Sequence, residues 1–101
     1  MNSDDFKFIG WKRDEEENVD KVYGVIKLDK NPVGPCVRFW GRRGKKLSTM
    51  MDTDTCSLDQ LIDTKIDSGY IEVNFSKLNE VYPEFKKDLA KTKFWASFKI
   101  T

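Results

Sequence analysis

The sequence predicts a small α+β domain, an antiparallel β-sheet with one or two helices packed on it. Three observations carry that prediction. Several stretches alternate apolar and polar residues with a period of two, one stretch opens on a helix-capping box, and turn-forming residues separate them. A chain of 101 residues fits a single domain, and folding at that size buries roughly 60–70% of the extended surface, so it needs no staples. With aromatic residues at 13% and charged residues at 35%, a compact aromatic core lies under a charged exterior.

Phe6, Phe8, Ile9 and Trp11 read as a first strand over about 6–13. The acidic tract Asp14-Glu15-Glu16-Glu17-Asn18 follows as a solvated hairpin loop, because its carboxylates lack the alternating spacing of a calcium loop. Val19 to Leu28 then alternates, with Val22, Gly24, Ile26 and Leu28 on one face and Tyr23, Val25 and Lys27 on the other. Asp29 to Pro35 holds the proline and glycine of a chain reversal. Cys36 to Trp40 returns antiparallel, with Val37 and Phe39 to one side and Cys36, Arg38 and Trp40 to the other. Gly41 and Gly44 bracket Arg42-Arg43 in a turn, and Lys45 to Met51 gives a fourth strand with Leu47, Thr49 and Met51 in alternate positions.

A polar loop from Asp52 to Cys56 leads to Ser57-Leu58-Asp59-Gln60, which matches the capping box. Leu58, Leu61, Ile62 and Ile66 share one helical face, and Gly69 suits the C′ position. Tyr70, Ile71, Val73 and Phe75 read as an extended piece, after which Ser76 caps a shorter helix containing Leu78, Val81 and Tyr82. Pro83 kinks or restarts that helix, and Phe85 and Leu89 continue its apolar stripe while Lys86, Lys87 and Lys91 face outward. Phe94 to Ile100 alternates again and closes the chain as a strand.

Charge is unevenly placed. Residues 1–35 carry six cations against eight carboxylates, 36–46 five against none, 47–83 two against seven, and 84–101 five against two. The net charge of +1 gives little long-range attraction to nucleic acid, so binding of that kind rests on a local patch. Arg38, Arg42, Arg43, Lys45 and Lys46 form such a patch around Trp40, and cations hold phosphate while an aromatic face packs on sugar or base. These six residues are the candidate binding set. A tryptophan at a strand end also serves as a core plug, and turn arginines are often merely solvated.

Catalysis is not expected. The chain has no histidine, so no Ser-His or Cys-His nucleophile forms, and Asp52 and Asp54 lack the glycine loop of a phosphate site. Neither metal nor cofactor is expected, since Cys36 and Cys56 are isolated; they read as two thiols, with a disulfide as the alternative. The N-terminus shows no signal-peptide pattern and no run approaches a membrane span, which places the protein in the cytoplasm.

Val22-Tyr23-Gly24-Val25-Ile26-Lys27-Leu28, then Val37-Arg38-Phe39-Trp40-Gly41-Arg42-Arg43-Gly44-Lys45, then the helix Ser57 to Ser68 with Gly69-Tyr70, resemble the WGR domain in their order. The resemblance covers about 20–75, with the strand over 6–13 and a helix–strand extension over 76–101 as additions. That family occurs in poly(ADP-ribose) polymerases, where it helps recognise DNA breaks and passes the signal to neighbouring domains, and in bacterial and phage proteins. The resemblance implies that Trp40 packs on the sugar of a terminal nucleotide and that Arg42 makes polar contacts near the end or to a partner domain. It does not fix Arg38, Arg43, Lys45 or Lys46, which enter on charge alone. These residues hold no catalytic domain for DNA binding to switch on.

Two functions follow as expectations. One is a small nucleic-acid-binding module, with DNA ahead of RNA and ends or breaks as targets. The other is a protein-interaction or inhibitor module, such as a phage accessory factor gripping a host protein through the acidic segments 14–20 and 52–67 or the aromatic strands.

Overall fold

A computed structural model of the protein describes residues 3–28, 35–52 and 58–92. The strands are β1 (Phe6–Asp14), β2 (Val19–Lys27), β3 (Cys36–Arg42), β4 (Ser48–Asp52) and β5 (Ile71–Glu72), and the helices are α1 (Leu58–Asp67), α2 (Phe75–Val81) and α3 (Phe85–Ala90). Among the described residues they form a small α+β fold around a five-stranded sheet of order β4-β3-β2-β1-β5 in which every pairing is antiparallel. No helix among the described residues is long and apolar enough to cross a membrane. The reversal over 29–34, the capping Ser57, Cys56 and the closing strand over 94–100 lie outside the described residues.

Alternation along β2 and β3 sorts the core into two halves, as the sequence predicts. Val22, Ile26 and Phe39 face one way with Phe6, Ile9 and Leu47, and α2 and α3 cover them with Phe75, Leu78, Tyr82, Phe85 and Leu89. Phe8, Tyr23, Val25 and Cys36 face the other way, beneath Leu61 and Ile62 of α1 and the ring of Tyr70. A fully buried side chain of this size contributes about 1.5–3 kcal/mol relative to exposure. Among the described residues, five buried side chains from the α2–α3 segment stand against the half-buried Leu61 and Ile62 of α1.

Phe6 and Phe8 would share a face in a regular strand. A bulge between them, where Phe6 pairs with Ile26 and Phe8 with Val25, turns the two rings to opposite faces. Phe6 then stacks on Phe75 with centroids 5.1 Å apart, and Phe39 meets Phe85 at 5.0 Å.

The helical segments differ from expectation in three places. Ile66 is 46% exposed; α1 turns Lys65 toward the sheet in its stead. The cap of α2 is Asn74, whose Oδ1 accepts the Lys77 N–H at 2.7 Å, so Phe75 opens the helix and Ser76 lies within it. The extended piece after Gly69 contributes only Ile71–Glu72 to the sheet. Pro83 separates α2 from α3, and Lys86, Lys87 and Lys91 point outward as predicted.

Gly24 pairs with Phe39 across β2 and β3, and a Cβ there would stand 2.3 Å from the Phe39 ring and 2.9 Å from the Phe8 carbonyl oxygen. Gly24→Ala should therefore lower stability by about 1–3 kcal/mol, read as a lower denaturant midpoint at unchanged slope. The Tyr82 hydroxyl donates to the Asp88 carboxylate, and burial, then that bond, push the Tyr82 pKa up. The folded state thus holds the phenolic proton more tightly than the unfolded chain does. Stability from this group is complete below pH about 10 and falls as pH rises beyond it. Tyr82→Phe should show a smaller alkaline loss in pH-dependent unfolding.

Candidate nucleic-acid interface

On the α1 face of the sheet, pairing sets three rows side by side. Lys21 lies opposite Arg42, Tyr23 opposite Trp40, and Val25 opposite Arg38. Alternation sends Lys21, Tyr23 and Val25 of β2 to this face together with Arg38, Trp40 and Arg42 of β3. Leu61 and Ile62 of α1 cover part of it. What stays open is a groove of about 340 Å³.

Three aromatic side chains line the groove: Tyr23, Trp40 and Tyr70. Four cations join them, Lys21, Arg38 and Arg42 from the sheet and Lys65 from α1, and among the described residues no carboxylate lines it. Trp40 is half-buried and packs against the cluster of Phe8, Tyr23, Val25 and Cys36 while still lining the groove, so it serves as core plug and as wall. The Arg38 guanidinium lies 6.0 Å from the Trp40 ring centroid and donates to the Met50 sulfur at 2.9 Å. Lys65 holds its ammonium 4.8 Å from the Tyr23 centroid and 5.8 Å from that of Tyr70.

Arg42 is aimed by the β1–β2 turn. Its Nη1 donates to the Asn18 carbonyl at 2.8 Å and its Nη2 to the Asn18 Oδ1 at 3.0 Å. Asn18 sits at φ +55, a left-handed conformation that asparagine tolerates better than most side chains. Both acceptors are neutral, so they orient the guanidinium without cancelling its charge.

Tyr23 is 3% exposed, and among the described residues its hydroxyl has no hydrogen-bond partner. Burying such a group unpaired costs about 1–3 kcal/mol. Tyr70 is partly buried, and burial, then the nearby Tyr23, raise its pKa above the ordinary phenol value.

The six residues chosen from the sequence divide among three settings. Arg38, Trp40 and Arg42 meet in the groove. Arg43 turns to the other side of the sheet, where its Nε and Nη2 each reach Asp20 Oδ2 at 2.8 Å and its Nη1 donates to the Val81 carbonyl at the end of α2. Asp20 also accepts the Trp11 indole N–H at 2.8 Å, and the Arg43 guanidinium lies 5.4 Å from the Trp11 ring. Arg43 is thereby a latch between the β3–β4 turn and α2. The turn itself closes through the Lys45 N–H to the Arg42 carbonyl at 3.0 Å, with Gly44 at φ +83 in the position that requires a positive φ. Lys45 and Lys46 are exposed and line a separate cavity of about 480 Å³ with Asp88 and Lys91.

Lys21, Tyr23, Lys65 and Tyr70 were not among the six. Strand alternation shows that Lys21 and Tyr23 share a face, but only the β2–β3 register brings them opposite Arg42 and Trp40. Comparison with known protein families, curated proteins and solved structures gives no match to this chain.

The Asp20–Arg43 pair is largely shielded, with side chains 16% and 25% exposed. Asp20→Ala and Arg43→Ala should each lower stability by about 2–3 kcal/mol, and the double variant by little more than the worse single one. Arg42→Ala, with exposed partners, should cost less than about 1 kcal/mol in the same unfolding experiment.

Proposed function

We propose that this protein is a small non-catalytic WGR-like module that binds nucleic acid, DNA ahead of RNA, along the groove beside Trp40. The observation that carries the reading is the convergence of three aromatic side chains and four cations in one groove that, among the described residues, no carboxylate lines. An anionic polymer with flat bases satisfies both halves of that lining, since cations neutralise phosphate and rings pack on sugar or base. An acidic protein segment satisfies only the first half.

In this reading Trp40 packs on the sugar or base of a nucleotide at an end or break, and Arg38, Arg42, Lys21 and Lys65 hold the phosphates around it. The bonds from Arg42 to Asn18 support its part, because a preoriented guanidinium loses less freedom on binding. Arg43 belongs to the latch and stays out of the contact set, while Lys45 and Lys46 reach at most a flanking phosphate. With a net charge of +1 the attraction is short-ranged, which suits recognition of a local feature better than coating of long DNA. The same reading places the protein in the cytoplasm.

Binding to labelled single-stranded, blunt and nicked oligonucleotides across a salt series tests the proposal. Four phosphate contacts predict a log–log salt slope of about −3 on a single strand and about −4 on a duplex. Trp40→Ala combined with Arg42→Ala should weaken binding at least tenfold while leaving the circular dichroism spectrum unchanged. Absence of wild-type binding at low salt would contradict the proposal and leave the protein-interaction module.

A further inference from the structure

We infer that Tyr23, Lys65 and Tyr70 form a phosphate subsite within the groove, in which the Tyr23 hydroxyl donates to a phosphate oxygen of one unpaired nucleotide. The inference rests on the nucleic-acid reading above and adds to it residues and a preferred strand state.

The buried Tyr23 hydroxyl is the starting point. Among the described residues it has no hydrogen-bond partner, yet its residue lines a groove whose charged lining, among those residues, is entirely cationic. A donor in that setting calls for an anionic acceptor, and charged acceptors form the stronger hydrogen bonds. Water satisfies a hydroxyl but brings no charge for the Lys65 ammonium to meet. A phosphate oxygen satisfies both.

Lys65 supplies the means of entry. Its ammonium lies over the Tyr23 and Tyr70 rings on a flexible four-carbon stem, and the Tyr23 hydroxyl is closed to solvent. An arriving phosphate exchanges this ring contact for an ion pair, drawing the ammonium outward and uncovering the hydroxyl beneath α1. Lys65 is therefore both cover and counterion.

Size and lining select the strand state. At about 340 Å³ the groove lies near the lower end of small-ligand sites and suits one nucleotide. A base paired within a duplex already has both faces stacked and cannot also use the rings of Trp40 and Tyr70, whereas an unpaired base can. A free nucleotide and a nucleotide of a single strand offer the same phosphate, and the experiment separates them.

The test compares wild type, Tyr23→Phe and Lys65→Met by thermal melting and by titration with thymidine 5′-monophosphate, a 5′-phosphorylated thymidine tetranucleotide and a blunt duplex. Tyr23→Phe keeps the ring and removes only the hydroxyl. Its melting temperature should rise by about 4 °C, because a buried unpaired donor has gone, while its affinity for the tetranucleotide should fall at least tenfold. Lys65→Met, which keeps a flexible stem over the rings, should lose a similar factor. Equal binding of the monophosphate and the tetranucleotide, with the same sensitivity to Tyr23→Phe, would support the subsite and identify the free nucleotide as its source. Unchanged tetranucleotide affinity in Tyr23→Phe, with Trp40→Ala still weakening binding, would overturn the subsite and leave the nucleic-acid reading standing. Preference for the duplex would overturn the unpaired nucleotide, and failure to bind any of the three would overturn both.

Discussion

Among the described residues the sheet is apolar on both faces but unequally covered, and that inequality decides which face stays accessible. Two helices seal the side of Val22, Ile26 and Phe39 with five buried side chains. On the other side α1 has 10 residues, about 15 Å of helix, whereas five strands span roughly 19 Å at ordinary spacing. Among the strands α1 comes closest to β1, so the β3 side of that face has the lighter cover. Trp40 lies there, half covered, with Arg38 and Arg42 on either side of it along β3.

The charged residues of 36–46 are divided by the same geometry. Because successive side chains of a strand alternate, Arg38 and Arg42 share the α1 face, while Arg43, one position later at the turn, passes to the opposite side and meets Asp20. Two charge-assisted bonds and a partly buried indole give Arg43 far more to lose on truncation than Arg42, held by two neutral oxygens at the surface. Neighbours in sequence thus take different work: Arg43 holds the turn that presents the groove, and Arg42 belongs to the groove.

Much of the fold was legible in the sequence. Alternation over 19–28 separates Val22 and Ile26 from Tyr23 and Val25, and over 36–40 it separates Phe39 from Cys36; the register then joins Phe39 to the first pair and Cys36 to the second, while Phe85 and Leu89 mark the buried stripe of α3. Local pattern failed where a single residue of irregularity changes direction. The bulge at Phe6 and Phe8 inverts a ring that strict alternation misplaces, and Asn74 takes the cap ahead of Ser76 because Phe75 gains more by burial in the helical layer than in an extended edge. The site was half legible. A charge count finds Arg38 and Arg42 but cannot exclude Arg43, since Asp20 lies 23 positions away in the chain. Lys65 and Tyr70 come to the groove only through the packing of α1, which no sequence spacing encodes.

On the proposed function, a nucleic acid meets the lightly covered α1 face. Amide and indole chemical-shift mapping with a short single-stranded oligonucleotide tests it most directly. Perturbations should concentrate on Lys21, Tyr23, Arg38, Trp40, Arg42 and Lys65, with the α2 and α3 layer unmoved. Perturbations centred on Lys45, Lys46 and Lys91, with the Trp40 indole silent, would contradict it.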